Sequence, residues 1–426
     1  VPDKHLNLNV RGLGTSATVA INDRSNALRA EGRQVAKLGL GQSPFPVPDP
    51  VVDALRTHAR EKDYLPVRGL PALCRSVADY TGRASGVDAR PEDVLIGPGS
   101  KELMFLLQLT FYGDLVIPTP AWVSYAPQAK IIGRQVRLVP TGRDDGWMLT
   151  PQGLDDICRE DVGRPRIVIL NYPSNPVGRT YEAAELEEIA RVARKHGVVL
   201  LSDEIYAELH HEGRHLSIAR YYPEGTIVSS GLSKWCGAGG WRLGTFVFPR
   251  SLDWLLDGMA AAASETFTST SAPIQHAAVT AFEGGEEIER YLGTSRRVLR
   301  AIGDASQRAL TAAGIVCLEP QGGFYLWPEL DGMRERLAAR GIADSPTMVE
   351  RLLEETGVAI LPGSAFGRPA EELSARLAYV DFDGGAALAA AAERPAGEPL
   401  GDDFVATYAA PVHQAIRAMV DWVNAA

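Results

Sequence analysis

From about residue 50 onward, short apolar runs ending in Gly, Pro, Asn or Asp alternate with segments of helical spacing. "EDVLIGPGS", "GDLVIPTP", "RIVILNYPSNP", "GVVLLSDEIY", "TIVSSGLSK" and "LGTFVFP" read as strands. "DPVVDALRTHAREKD", "KELMFLLQL" and "YEAAELEEIARVARKHG" read as helices. In the first of these Asp49 can cap and Pro50 suits the opening turn, while Gly197 can stop the last. Strand and helix in alternation confine the chain to an α/β fold with a mostly parallel sheet covered on both faces. In such sheets chemistry gathers beyond the carboxyl ends of the strands. The polar and glycine clusters stand at those ends: Gly97 to Lys101, Trp122, Asn175, Asp203 and Lys234.

After about residue 290 the pattern changes. The long polar helix "EEIERYLGTSRRVLRAIGDASQRALTAAG" leads into short strands and helices. The expected organisation is a large domain over 49–292 and a small domain built from 1–48 and 293–426. The Ala-, Pro- and Gly-rich "AAAERPAGEPLGDDFVATYAAP" predicts a loop excursion before a last helix near Pro411 to Asn424. With 426 residues, 45% hydrophobic and 23% charged, a large core is available. A net charge of -10 without a basic block argues against nucleic acid as a partner. No stretch approaches the ~18 apolar residues of a membrane span. Cys74, Cys158, Cys236 and Cys317 are far apart and form no CxxC pair, so neither a zinc knuckle nor a disulfide framework is expected. The expectation is a reduced, cytoplasmic protein.

"SGLSKWCGAGGWRLG" sets Lys234 among small residues and follows it with Arg242, in a chain with only seven lysines. Desolvation and a neighbouring cation both lower a lysine pKa, and a partly deprotonated amine can form an imine with an aldehyde. Arginine offers phosphate a planar fork of donors. An aldehyde and a phosphate are the two ends of pyridoxal 5'-phosphate (PLP). The ring nitrogen of PLP needs a buried carboxylate to stay protonated, and Asp203 ends a strand. Tyr206 and Asn175 can donate to the ring oxygen O3', and Trp122 can stack on the ring. Gly99, Ser100 and Lys101 open a helix, where free backbone N–H groups favour a phosphate.

Two other patterns carry less. "GLGQSP" holds Gly39 and Gly41, but a dinucleotide motif would need glycine where Pro44 stands. His210, His211 and His215 in "HHEGRH" lack a HExxH frame and read as a polar hairpin after Tyr206, so no metal is expected. Ser16 and Thr18 divide between capping the first helix and touching a substrate.

Gly231-Leu-Ser233-Lys234 followed by Gly240-Trp-Arg242-Leu-Gly244 resembles the lysine signature of the class I and II aminotransferases, and Ser233 joins the cofactor set on that ground. The resemblance runs through nearly the whole chain. "TSATVAINDRSNALRAEG" is similar to the amino-terminal segment of the bacterial aspartate aminotransferase subgroup. "LGLGQSPFPVP", with Gly41, resembles its substrate loop. "QGGFYLW" and "LPGSAFG" resemble its small-domain blocks. The resemblance implies fold-type I, PLP as cofactor, and a two-stage transfer of an α-amino group between an L-amino acid and a 2-oxo acid. It implies that Lys234 holds PLP as an imine and moves the proton between Cα and C4', with Asp203 and Tyr206 supporting it. Through "ARLAYV" it makes Arg376 the binder of the substrate α-carboxylate, beside Asn175, Trp122 and Gly41. Through "YLPVRGLPAL" it sends Tyr64 to the phosphate of a partner subunit in a homodimer.

The chain departs from the pattern in places. Gly231 stands where the family often has serine, leaving Ser229 or Ser230 for the phosphate, and Asn175-Pro-Val-Gly178 lacks a usual hydroxyl. A C–S β-lyase or a cyclase could use the same residues. A ligand-binding regulator would carry a DNA-binding domain ahead, where about 40 residues stand here. No second arginine is placed for a distal carboxylate.

Overall fold

The computed structural model describes residues 5–395 and 397–425. Seven strands form one sheet in the order Val94–Gly97, Gly244–Val247, Thr226–Gly231, Val199–Asp203, Arg166–Asn171, Asp114–Thr119, Val136–Pro140. Only Gly244–Val247 runs against its neighbours. The two central strands are apolar because both their faces are covered. Ile167, Ile169 and Leu201 join Leu103, Leu107 and Met259 on one side. Val168, Leu170 and Leu200 join Ile157, Leu186 and Ile189 on the other. Period-2 alternation thus divides each strand between two helical layers.

Six of these strands are the apolar runs read from the sequence. The seventh, Val136–Pro140, was not among them. It is an edge strand whose residues are half-buried or exposed, so "VRLVP" never had to become an apolar run.

The remaining strands are short. Ala36–Lys37 pairs with Val358–Ala359, tying the amino-terminal segment to the carboxyl part. Leu361–Pro362, Ala375–Ala378 and Tyr325–Leu326 form a three-stranded antiparallel sheet. The 27-residue helix Glu286–Ala312 runs unbroken through residue 292. Glu286, Glu287 and Glu289 complement the dipole at its first turn.

Three local expectations need correction. The stretch expected as a loop before the last helix contains helix Asp402–Tyr408, and the final helix follows at Ala410–Asn424. Phe404 and Val405 are fully buried, and this apolar pair was hidden in a composition that reads as linker; Ala396 lies outside the described residues. Asp49 does not cap its helix: Pro48 holds the cap position and Asp49 is the first helical residue. Ser16 makes no capping hydrogen bond either, and its hydroxyl meets that of Thr18 at 3.0 Å. Gly197 does end helix Ala183–His196, in the left-handed conformation at φ 63°. All four cysteines are free and buried. Among the described residues no helix is long and apolar enough to cross a membrane.

Candidate active site

The carboxyl ends of the central strands bring the polar clusters together. Asp203 is the last residue of its strand and pairs with Asn171 on one side and Ser229 on the other. Its carboxylate is buried; it accepts a hydrogen bond from Tyr125 Oη at 2.5 Å and from Ser229 Oγ at 3.5 Å. Burial pushes its pKa up to about 6 against the opposing pull of these donors and of Lys234. Ser229 thus turns its hydroxyl toward Asp203.

Lys234 lies just past the neighbouring strand. The departure at Gly231 has a steric reason: a Cβ there would stand 2.7 Å from the Leu243 carbonyl. The half-buried Lys234 donates from Nζ to the Gly41 carbonyl at 2.8 Å and lies 5.7 Å from the centre of the Tyr206 ring. Its pKa falls to about 8, first through burial, then through the cations Arg376 and Arg242. The sequence suggested Arg242 as the depressing cation; Arg376 is the stronger one.

Tyr325 was missed by the sequence reading and stands at the centre of this cluster. Its hydroxyl meets that of Tyr206 at 2.8 Å, and the Arg376 guanidinium lies 4.8 Å from its ring centre. A Cβ on Gly41 would fall 1.8 Å from the Tyr325 hydroxyl, so the substrate-loop glycine is required by contact with this ring. The signal for it in the sequence is the aromatic pair after the double glycine in "QGGFYLW".

A second group gathers where helix Ser100–Thr110 begins. Gly99 takes φ 92° at its cap position, and a Cβ there would meet Arg242 Nη2 at 2.2 Å. A Cβ on Gly244 would meet the Ser100 backbone nitrogen at 2.1 Å. Strand, helix start and arginine thus close on one another at distances only glycine allows. Arg242 itself adopts φ 56° and donates to the carbonyls of Gly239 at 2.8 Å and Pro98 at 3.4 Å. No carboxylate pairs with it among the described residues. Lys101 Nζ lies 5.2 Å from the centre of the Trp122 ring, with its pKa lowered by burial and then by Arg242. Trp122 meets Tyr125 edge to face at 5.2 Å, and Ser233 is half-buried beside Lys234.

Arg376 lies in strand Ala375–Ala378 and is 1% exposed. It donates to Asn175 Oδ1 at 3.1 Å and to the Gly39 carbonyl, an acceptor the sequence did not suggest. Its Nε is buried without a partner, and no carboxylate faces it among the described residues. A buried guanidinium in that state is costly unless an anion comes to it. Tyr64 makes none of these contacts and is 90% exposed.

Glu212, Gly213 and Arg214 at the tip of the segment expected as a polar hairpin are exposed, but its histidines turn inward. His210 and His211 are buried, and burial pulls both down to about 4. His215 Nε2 meets Glu204 Oε2 at 2.9 Å and its ring stacks on Tyr172.

The residues around Lys234 and Asp203 sit on a scaffold shared with known enzymes. A family model of the aminotransferases of class I and II matches residues 33–381, and the chain belongs to that family of amino-group transferases. Among its relatives, the aspartate aminotransferase of Geobacillus stearothermophilus is 35% identical over 370 residues, covering 84% of this chain and 91% of that one. The aspartate/prephenate aminotransferase of Thermus thermophilus is 31% identical over 366 residues, covering 85% and 91%. The structure resembles that of the aspartate aminotransferase from Thermus thermophilus with maleate, with a TM-score of 0.84 at 27% identity over 98% of this chain and all of that one.

Proposed function

We propose that this aminotransferase works with PLP held on Lys234, and that its amino donor is an acidic L-amino acid of the aspartate class. The observation that carries the reading is a cluster of cations without carboxylate partners, Lys234, Arg376 and Arg242, around one buried carboxylate, Asp203. A ligand with an aldehyde, a dianionic phosphate and a cationic ring nitrogen fits that charge pattern, as does a substrate carboxylate. When bound, PLP supplies the aldehyde that takes up the amino group and a ring that draws electrons from the substrate Cα.

The chain's own residues do the rest. With a pKa lowered to about 8, Lys234 has a neutral fraction near pH 7 to 8 and would be the residue that holds the cofactor's aldehyde and carries the proton at the substrate Cα. Asp203, held by Tyr125 and Ser229, gives the ring nitrogen its counter-charge. Asn175 spends its carbonyl oxygen on Arg376, which leaves its NH2 group and the Tyr206 hydroxyl for the ring oxygen. Trp122 offers a ring face. Arg242, Lys101, Ser100, Ser233 and the Gly99–Ser100 helix start serve the phosphate. Arg376 grips the α-carboxylate and so orients the bond to be broken.

Support for the aspartate class comes from the names of the relatives. The exposed Tyr64 supports a homodimer in which it reaches the partner's phosphate site. The division into a large domain, 49–292, and a small one, 1–48 with 293–426, is supported by the Ala36–Lys37 and Val358–Ala359 pairing and makes the unbroken helix Glu286–Ala312 the connection. The four free cysteines accord with a cytoplasmic setting.

The test is to mix the PLP-loaded protein with single amino acids and follow cofactor absorbance. Aspartate should convert it to the amino form, and 2-oxoglutarate should return it. Release of ammonia or a thiol with the absorbance unchanged would instead assign lyase chemistry to these residues.

A further inference from the structure

Helix Asp49–His58 packs beside helix Ala272–Glu283. Where they meet, the ring of His58 lies on the ring of His276, with centroids 4.5 Å apart and planes 15° from parallel. Glu61, in the turn after the first helix, brings Oε1 to 3.5 Å from His58 Nδ1. One nitrogen from each ring and one carboxylate oxygen all lie within 4.8 Å of one another. Both rings are half-buried and Glu61 is exposed. None of the three takes part in the contacts around Lys234.

Two imidazoles and a carboxylate are the donor set of borderline-soft divalent ions, Zn2+ foremost. With metal–ligand bonds of about 2.0–2.2 Å, ligand atoms around a tetrahedral ion stand roughly 3.3–3.6 Å apart. The contact between His58 and Glu61 already has that spacing. The others, within 4.8 Å, reach it once the two rings tilt out of their stack and the exposed Glu61 side chain turns. The frame behind His276 is firm: the adjacent Gln275 is fully buried, accepts from the Leu70 backbone N–H at 2.8 Å and donates to the Thr270 carbonyl at 2.8 Å. Ligands on rigid elements are what a selective metal site needs.

We propose that His58, Glu61 and His276 bind one Zn2+ ion, with water completing the tetrahedron. The ion staples the turn at Glu61 to the second helix. That turn leads in three residues to Tyr64, so the staple orders the chain that carries it.

The experiment is calorimetric titration of ZnCl2 into the chelator-treated, PLP-loaded full chain. The expected result is saturable binding of one equivalent per chain. His58→Ala and His276→Ala should each weaken it at least tenfold, and the double variant a hundredfold or more. Glu61→Gln should weaken it less, and His413→Ala not at all. Substituted Co2+ should give the visible bands of a tetrahedral site, lost in His276→Ala. His276→Gln, which keeps the helix packed, guards against misfolding, and an unchanged thermal midpoint in the absence of zinc shows that each variant is folded. Absence of saturable binding, or binding unchanged in the histidine variants, would overturn the proposal.

Discussion

Lys234 owes its reactivity to its surroundings. An exposed lysine keeps its proton well above neutral pH, whereas burial beside Arg376 and Arg242 brings this one to about 8. In the proposed function Arg376 has a second task, the grip on the α-carboxylate. Arg376→Lys keeps a cation near Lys234 but loses the two-point geometry. The cofactor absorbance should remain while the amino-acid half-reaction slows about ten- to a hundredfold, the size of a lost charged hydrogen bond of roughly 1.5–3 kcal/mol. Asp203 yields a prediction with a definite sign. Burial raises its pKa from 3.8 to about 6, so its contribution to the cofactor-free fold is fully present below 3.8 and is lost as pH rises through 6. The cofactor-free Asp203→Asn protein should therefore melt higher than wild type at pH 8 and lose that advantage at pH 4, as thermal midpoints at the two pH values would read. PLP retention should be weaker in the variant at both.

At the scale of elements, the site depends on how closely strands and helix starts approach. Gly244 lets its strand lie against the Ser100 backbone, and Gly99 lets Arg242 reach the same place. Gly244→Ala would push a Cβ into main-chain atoms that cannot swing aside. Overpacking of this kind costs about 1–3 kcal/mol. The variant should show a lower thermal midpoint and lose PLP on gel filtration, whereas Gly240→Ala, where a Cβ meets nothing, should do neither. The elements were legible in the sequence to the extent that burial forced a pattern on them. Central strands, covered on both faces, became apolar runs and were read. The edge strand Val136–Pro140 buries no residue fully and the short helix Asp402–Tyr408 buries only the adjacent pair Phe404 and Val405, so alternation and composition left weak marks.

At the scale of the whole molecule, one proposed contact leaves the chain. Tyr64 is exposed and stands apart from the residues around Lys234, yet its segment resembles one that serves a phosphate. If two chains share their sites, a mixture of inactive Lys234→Ala and inactive Tyr64→Ala subunits should recover partial activity. Each hybrid dimer has one site with both residues intact. Activity assays after subunit exchange, with sedimentation to confirm the dimer, would read this. A stable, fully active monomer would remove the shared site.

The sequence by itself determined the layered α/β scaffold and the chemical residues at its strand ends. Strand and helix periodicities are local, and Lys234, Arg242, Asp203, Tyr206 and Asn175 fall in short motifs of constrained spacing. It also marked Arg376, through the block around it. What only the tertiary structure decided is which groups from distant parts of the chain face one another. Tyr325 stands against Tyr206 and Gly41, and Arg376 outweighs Arg242 in depressing Lys234. Histidines that read as polar surface are buried. Such pairings join residues a hundred or more positions apart or depend on which face of the backbone turns inward. A linear pattern records how much a position is buried, but the partner against which it is buried emerges only when the layers pack.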